Sequence, residues 1–230
     1  MDFKTLLPQS DLAPLARIDL AADLAGVPEQ GLGLLRGFSR QSGELLIARM
    51  RPDRFDQDLT LNSSSDVSGP WYSGRGIGVL YWPGDLSIDG DLLDDDYTSL
   101  PILVVQGNLT LRHWLRGGMS AFVGGSVHAS GYVVGHYNDS ALFVGGDLRA
   151  EGYLPCAKPQ SSMPDVAPHQ IAGRIDARTL DLHGITDEAL RSHLVDEVLG
   201  TDDDNPDEVF LYLDERAVMS RSNAGLPIWR

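Results

Sequence analysis

The fold of this chain is decided by a phrase that first occurs as Tyr81-Trp82-Pro83-Gly84-Asp85-Leu86-Ser87-Ile88. In each copy an apolar run leads to a glycine, and a small polar residue and two alternating apolar residues follow. The other copies are Val104-Val105-Gln106-Gly107-Asn108-Leu109-Thr110-Leu111, Phe122-Val123-Gly124-Gly125-Ser126-Val127-His128-Ala129 and Phe143-Val144-Gly145-Gly146-Asp147-Leu148-Arg149-Ala150. The shared glycines are 23, 18 and 21 residues apart, which is the range of solenoid repeats.

Each glycine phrase predicts a strand, a tight corner and a second strand. The apolar run suits a buried strand, and the glycine favours a corner with positive φ, where a Cβ atom would clash. After the corner, apolar and polar residues alternate with the period of a strand that is buried on one face. We therefore expect the polar members of the four copies to face outward: Ser87, Thr110, His128 and Arg149.

Repetition of this unit predicts a mainly β fold with flanking helices. The specific prediction is a short single-stranded β-helix of about four coils, capped by N-terminal and C-terminal α segments. Residues 57–61 resemble an earlier coil and residues 172–177 a later one. The alternative is a meander of hairpins in a sandwich, since strands bounded by glycine also fit that architecture.

The flanking sequence predicts three segments: residues 1–64, 65–154 and 155–230. Ser10 and Asp11 can cap an amphipathic helix, and residues 44–50 have the composition of a strand. Four prolines between residues 155 and 168 indicate an extended strap. Thr186 begins a helix that we expect to run to Leu199, and residues 209–213 fit a helix start or a strand.

Composition and charge restrict the partners. The chain of 230 residues has a formal net charge of −15, of which −6 falls on residues 65–154 and −7 on residues 155–230. Such a field repels nucleic acid and anionic membrane and attracts a basic partner. The sequence has no apolar run long enough to span a membrane and no secretory signal, and its single cysteine agrees with a reducing cytosol. These features predict a cytoplasmic protein.

The acidic turns are the candidate binding residues. Three adjacent aspartates repel one another and must stay solvated or meet cations. They lack the alternating oxygen ligands of a calcium loop, so we expect no metal there. Tyrosine and tryptophan are common anchors of binding energy. The predicted partner-binding residues are Asp94, Asp95, Asp96, Tyr97, Trp114, Asp202, Asp203 and Asp204.

Catalytic signatures are missing from the sequence. It contains no nucleophile elbow, phosphate-binding loop, zinc-protease motif or paired cysteines. His113, His128 and His136 fall on separate copies, but the strict six-residue step of hexapeptide-repeat acyltransferases is missing. We therefore predict no enzyme, no catalytic residue, no metal and no cofactor. A carbohydrate-acting enzyme with a pair of carboxylates remains an alternative.

The glycine phrases over residues 80–154 resemble those of bactofilin-like proteins, which are bacterial polymer-forming cytoskeletal β-helices. The phrase at residues 84–92 also looks like phrases in acidic bacterial proteins encoded beside polymorphic toxins. The overall form is similar to immunity proteins that neutralise nuclease toxins delivered by type VI secretion, such as those of the GHH DNase kind. Neither resemblance carries over a catalytic residue.

These resemblances imply two functions. The first is a cytoplasmic immunity protein that binds and inhibits a basic cognate toxin, a nuclease, through its acidic loops, because carboxylates can compete with phosphates for lysine and arginine. The second is a bactofilin-like structural protein that self-assembles through the ends of the β-helix, so a homo-oligomer stays open. In this chain, however, an aromatic-rich first copy and the extensions at both ends depart from the bactofilin pattern.

Overall fold

A computed structural model describes residues 6, 10–14, 46–61, 77–94, 101–135, 141–155, 169–182, 185–202 and 210–230. The fold is mostly β, with two α-helices. Its elements in chain order are β1 (Asp11–Pro14), β2 (Leu46–Arg49), β3 (Arg54–Phe55), β4 (Leu59–Thr60), β5 (Ile77–Trp82), β6 (Leu86–Ile88), β7 (Leu92–Leu93), β8 (Ile102–Val105), β9 (Leu109–Leu111), β10 (Trp114–Arg116), β11 (Ala121–Val123), β12 (Val127–Ala129), β13 (Tyr132–Gly135), β14 (Leu142–Val144), β15 (Leu148–Leu154), β16 (His169–Ile171), β17 (Ile175–Thr179), α1 (Asp187–His193), the 3₁₀ turn Asp196–Val198, β18 (Leu199–Asp202), β19 (Phe210–Leu213) and α2 (Glu215–Asn223).

Two large sheets hold seventeen of these strands. The seven-stranded sheet has the order β1-β2-β5-β8-β11-β14-β16. The ten-stranded sheet has the order β3-β6-β9-β12-β15-β13-β10-β7-β4, with β17 beside β15. It doubles back at β15, which pairs with β12 through its first half and with β13 through its second half. The ten-stranded sheet is therefore nearly closed and barrel-like.

Successive glycine phrases pair in parallel. The amide of Gly107 donates to the carbonyl of Gly84 at 3.0 Å, that of Gly125 to Gly107 at 2.9 Å, and that of Gly146 to Gly125 at 2.8 Å. Each phrase supplies one strand to the seven-stranded sheet and one to the ten-stranded sheet, and a third strand follows in the other arm of the ten-stranded sheet. Apart from β1 with β2, all pairings in the two large sheets are parallel.

The fold-class prediction of a short four-coil β-helix with helical caps at both ends is wrong. The strands form parallel sheets, one of them nearly closed, and neither described helix caps a chain end of these sheets. The four glycine phrases are only part of the repeating region, because β2 to β4 and β16 to β17 extend both sheets beyond them. The uninterrupted β15 then joins the two arms into one sheet. Parallel pairing also excludes the alternative of a hairpin meander.

The main core lies between the two sheets. It contains the inward members of the glycine phrases, such as Leu86, Leu109, Val127 and Leu148, each with none of its surface exposed. The outward residues Ser87, Thr110, His128 and Arg149 are half-buried or exposed, as the alternation predicted. The opposite face of the seven-stranded sheet is buried too, with Phe122 stacked on Phe143 at 5.1 Å. Strands buried on both faces explain the continuous apolar runs before each glycine.

The small polar residue after each glycine joins neighbouring repeats. Its side chain accepts a hydrogen bond from the equivalent amide of the next repeat: Ser126 N donates to Asn108 Oδ1 at 2.9 Å, and Asp147 N donates to Ser126 Oγ at 3.0 Å. A Cβ atom on Gly125 would lie 2.5 Å from Asn108 Oδ1, so the glycine makes room for this side chain. The prediction of positive φ at these corners is wrong; among the described glycines, Gly225 has a positive φ, of 68°.

A second polar ladder crosses the corner between the two arms of the ten-stranded sheet. Asp58 Oδ1 accepts from Asp91 N at 2.8 Å, Asp91 Oδ1 accepts from His113 N at 3.2 Å, and His113 Nδ1 accepts from Tyr132 N at 2.9 Å. His113 is buried, and burial lowers its pKa. Because Nδ1 accepts a hydrogen bond, the neutral ring carries its proton on Nε2. The histidine is a structural member of this ladder.

The C-terminal module, residues 185–202 and 210–230, packs outside the ten-stranded sheet. Its helices and the antiparallel pair β18–β19 enclose a second core, which includes Leu154 of β15 and the fully buried Leu190, Leu213 and Ile228. Thr186 caps α1 by accepting from Ala189 N at 3.2 Å, which confirms the predicted helix start. The predicted end at Leu199 is wrong, since α1 ends at His193 and β18 begins at Leu199.

The N-terminal prediction fails in part. Asp11–Pro14 is a strand paired antiparallel with β2, not the start of a helix. Residues 11–14 form a strand in spite of the local helix signals, because the edge of β2 offers their backbone a row of hydrogen bonds. The strand predicted within residues 44–50 is confirmed by β2. The division at residues 64/65 and 154/155 stays a prediction, although strands from all three segments pair in the same sheets.

Candidate binding edge

Connections of variable length begin and end along one edge of the sheets. They join the second arm of the ten-stranded sheet to the seven-stranded sheet, and they comprise residues 61–76, 94–101, 117–120, 136–141 and 155–168. By contrast, the connections that contain the shared glycines, after β5, β8, β11 and β14, have three residues each. Because neighbouring strands pair in parallel register, the five variable connections leave the sheets side by side. We call this side the connection edge.

The sequence of the connection edge is acidic and contains aromatic residues. Its five connections carry six aspartates against one arginine and one lysine. They also contain four tryptophan or tyrosine residues: Trp71, Tyr72, Tyr97 and Tyr137. Loops held by a rigid scaffold are the common place for binding residues, because they vary without disturbing the core. The connection edge is therefore the candidate site.

Asp94 holds the base of one connection in place. Its side chain is 3% exposed, and Oδ2 accepts the amides of Gly117 and Met119 at 3.1 and 3.0 Å. Ser120 makes the corresponding link to the next connection, since its Oγ accepts the amide of Ala141 at 3.2 Å. These bonds tie three successive connections to one another at the point where they leave the sheets.

A buried cationic cluster lies beside Asp94. Arg116 is 1% exposed; its guanidinium donates to the carbonyl of Ala141 at 2.9 Å and lies 3.0 Å from His169 Nε2. Burial lowers the pKa of Arg116 to about 10, so the side chain stays charged at neutral pH. The guanidinium can only donate, so His169 Nε2 accepts, and Nδ1 then donates to Tyr153 Oη at 2.7 Å. Burial raises the pKa of Tyr153 to about 12.

The predicted partner-binding residues separate into three groups. Asp94 and Trp114 are buried, and the Trp114 ring lies 5.5 Å from the guanidinium carbon of Arg116. Asp202 ends β18, where its backbone pairs with Phe210. The remaining residues lie outside the described part of the chain, and their assignment to a partner stays a prediction: Asp95, Asp96, Tyr97, Asp203 and Asp204.

Sequence reasoning missed Arg116, Tyr153 and His169 as a cluster. The three residues are separated by 37 and 16 positions, and only the parallel stacking of repeats brings them together. Arg116 is the last residue of β10. The sequence contained one signal for Arg116: it follows the apolar residues Trp114 and Leu115 and has no acidic residue beside it in sequence. The aromatic pair Tyr81 and Trp82 is buried and serves packing.

The described residues contain no group of three His, Cys, Asp or Glu side chains that could hold a metal ion. In the same part of the chain, no helix has the length and apolar character needed to cross a membrane. Comparisons with protein-family models, with curated proteins and with solved structures found no match. The functional argument therefore depends on the geometry of the connection edge and on charge.

Proposed function

We propose that this chain is a binding protein that inhibits a basic cognate toxin, a nuclease, through the connection edge. The observation that carries the proposal is that five connections of variable length, which together have six aspartates against two basic residues, are anchored on one edge of a scaffold whose other corners are short and regular. A nuclease presents lysine and arginine to phosphates, so a row of carboxylates can occupy the same groups. The proposal places the protein in the cytoplasm, where such a toxin acts.

Rigidity of the scaffold supports this function. The connections start from strands that pair in parallel and from side-chain bonds such as those of Asp94. Binding segments held at fixed spacing lose less conformational entropy on association. The net charge of −15 adds long-range attraction toward a basic partner, which raises the association rate more than the final affinity. A stable inhibitor interface of this type buries about 1,600 Å².

The test is co-expression and co-purification with the product of the adjacent toxin gene, followed by charge reversal. The variant Asp95→Lys/Asp96→Lys changes the connection edge and spares the buried Asp94. We expect its affinity to fall at least about tenfold and its salt dependence to become shallower, because charged hydrogen bonds are lost.

The matched control is Asp53→Lys/Asp56→Lys. Both aspartates are exposed and lie in short connections at the other two corners, so this variant has the same change in net charge. We expect it to bind almost normally. Equal losses in both double variants would show that only net charge matters, and unchanged binding in the first would refute the connection edge as the site.

Self-association is a second candidate function, and the exposure of β17 favours it. Four of its five residues are exposed, including Ile175 at 43%, and its described partner is β15 alone. In an antiparallel pair of two copies centred on Ala177, Asp176 of one copy would face Arg178 of the other. Light scattering over a range of concentrations tests this: a concentration-independent monomer, or a dimer unaffected by Ala177→Pro, would exclude pairing through β17.

A further inference from the structure

A polar depression lies on the outer face of the ten-stranded sheet, away from the connection edge. It has a volume of about 420 Å³ and is lined by the polar residues Asp89, Thr110, Arg112, His128, Ser130 and Arg149 and by the apolar residues Ile88, Leu111 and Ala129. Parallel pairing places Thr110, His128 and Arg149 in one row across β9, β12 and β15. Arg112 and Ser130 flank this row, each as the first residue after the end of its strand, β9 or β12. Neighbouring members of the row are therefore about 4.8 Å apart, and the two rows are separated by about 7 Å.

Arg112 is held in a fixed orientation at this depression. Asp91, which is 5% exposed, binds it in a bidentate manner, with Nε to Oδ1 at 2.7 Å and Nη2 to Oδ2 at 3.0 Å. This pair stabilises the charged form and raises the pKa of Arg112. Nη2 also lies 3.4 Å from Asp58 Oδ1, whereas Nη1 makes no hydrogen bond within the described part of the chain, and 42% of the side chain is exposed. The group is therefore positioned before any ligand arrives, which lowers the entropic cost of binding.

The other lining groups also have unused hydrogen-bonding capacity. Among the described residues, the side chains of Thr110, His128 and Ser130 make no hydrogen bond, and Arg149 reaches Asp147 only at 3.5 Å. Asp89 is neutralised by Arg54, with 2.9 Å between Oδ2 and Nη2. In a chain with a net charge of −15, two guanidinium groups, an imidazole and two hydroxyl groups thus line one depression, beside an Asp89 carboxylate that is paired with Arg54.

We infer that this depression binds a small oxyanion, a phosphate or a carboxylate group, between Arg112 and Arg149 with His128 beneath it. Two arginines spaced across parallel strands suit the several acceptor oxygens of such a group. Thr110 and Ser130 add donors that can contact the ligand from the side. The site is separate from the connection edge, so it is independent of the proposed inhibitor function.

The test is a titration of the ¹⁵N-labelled full chain with inorganic phosphate near neutral pH, at constant ionic strength set with chloride. We expect saturable shifts of the amides of His128 and Ser130, with a dissociation constant of about 1 mM or below. A parallel titration with acetate separates the two sources of the oxyanion: tighter phosphate binding assigns a phosphate ligand, and tighter acetate binding assigns a carboxylate.

Variants decide whether the site is built for this ligand. Arg149→Gln should weaken binding about tenfold or more, since a charged hydrogen bond is lost. Arg174→Gln is the control, because Arg174 is an arginine with 70% exposure that lies outside the depression. Shifts that grow linearly without saturation, or an equal loss in the Arg174→Gln variant, would show an adventitious ion only and overturn the inference.

Discussion

Gly131 and His113 form a pair whose coupling tests the ladder between the arms of the ten-stranded sheet. A Cβ atom on Gly131 would overlap Cε1 and Nδ1 of His113 and lie 3.0 Å from Nε2, and these ring atoms are its nearest neighbours. In Gly131→Ala the ring must move away and its bond to Tyr132 N is lost. Overpacking costs about 1–3 kcal/mol and the buried amide about 1–3 kcal/mol more, so we expect a loss of about 2–6 kcal/mol.

The same substitution should be harmless where the ring has been removed. In a His113→Ala background the three nearest atoms are gone, and Gly131 does not have a positive φ. Replacing glycine with alanine at such a position changes stability by less than about 1 kcal/mol, in the favourable direction. The double-mutant cycle should therefore show a coupling of at least about 2 kcal/mol.

Gly125 and Asn108 provide the matched control. A Cβ atom on Gly125 would meet Asn108 Oδ1 at 2.5 Å but also the backbone C and O atoms of Gly107 at 2.8 Å. Asn108→Ala removes the side chain and leaves the backbone contact, so Gly125→Ala should cost nearly the same in both backgrounds. The two cycles differ only in what the new methyl group meets.

Urea denaturation followed by the fluorescence of the four tryptophans measures both cycles. If Gly131→Ala alone gives no folded protein, recovery of a cooperative transition in the double variant is the readout. A cost of Gly131→Ala that agrees within about 0.5 kcal/mol in the two backgrounds would refute the steric argument.

Three further predictions concern His113, Ile228 and Asp94. Burial lowers the pKa of His113, so the unfolded chain takes up the proton first as pH falls. The free energy of unfolding should therefore fall as pH drops below 6.5, and it should fall less in His113→Gln. Urea denaturation curves that are the same above and below that pH in both proteins would contradict this. Ile228→Ala, at a fully buried position, should lower the free energy of unfolding by about 2–5 kcal/mol in thermal or urea denaturation. Leu226→Ala, at a position 48% exposed, should lower it by less than about 0.5 kcal/mol. Similar losses in the two variants would count against the second core. Asp94→Ala should lower the free energy of unfolding by about 2–4 kcal/mol and speed hydrogen exchange at the amides of Gly117 and Met119. Asp94→Asn should lower it by less. Amides that stay protected in Asp94→Ala would disprove the role of the carboxylate.

The strands could be predicted because their signal is local. The alternation of Leu109, Thr110 and Leu111 sets one face inward whichever partner the strand finds, and all four copies have it. The start of α1 could be predicted as well, because a threonine cap needs only the three residues that follow it. Its end could not, since the chain beyond His193 turns to pair β18 with β19, and that pairing is not visible in the local pattern.

Why glycine is required at the corners was also predicted wrongly, because the answer again depends on residues distant in sequence. From the sequence, a glycine at a corner favours positive φ. In the structure, the His113 ring occupies the place of a Cβ atom on Gly131, and Asn108 Oδ1 together with the Gly107 backbone occupies that of a Cβ atom on Gly125. Asn108 and His113 are respectively 17 and 18 positions earlier, so the conflict exists only after the repeats have paired.

The candidate site shows the same limit. Asp94 was predicted at a surface because three adjacent aspartates must be solvated or paired. The structure buries it, with two backbone amides as partners in the following repeat. A carboxylate with such partners can leave water at modest cost, and the sequence of its own loop does not reveal those partners. The excess of aspartates over basic residues in the five connections could be predicted from composition.

By itself, the sequence determined which residues of the four glycine phrases form strands and which of their faces are apolar, because both depend on neighbours a few positions away, and it determined the charge of the chain. Only the tertiary structure decided that the strands form two parallel sheets with one nearly closed, that Arg116, Tyr153 and His169 meet, and that five variable connections share one edge. Those features depend on the register between repeats about 20 residues apart, and register is set by packing and by backbone pairing across the whole sheet.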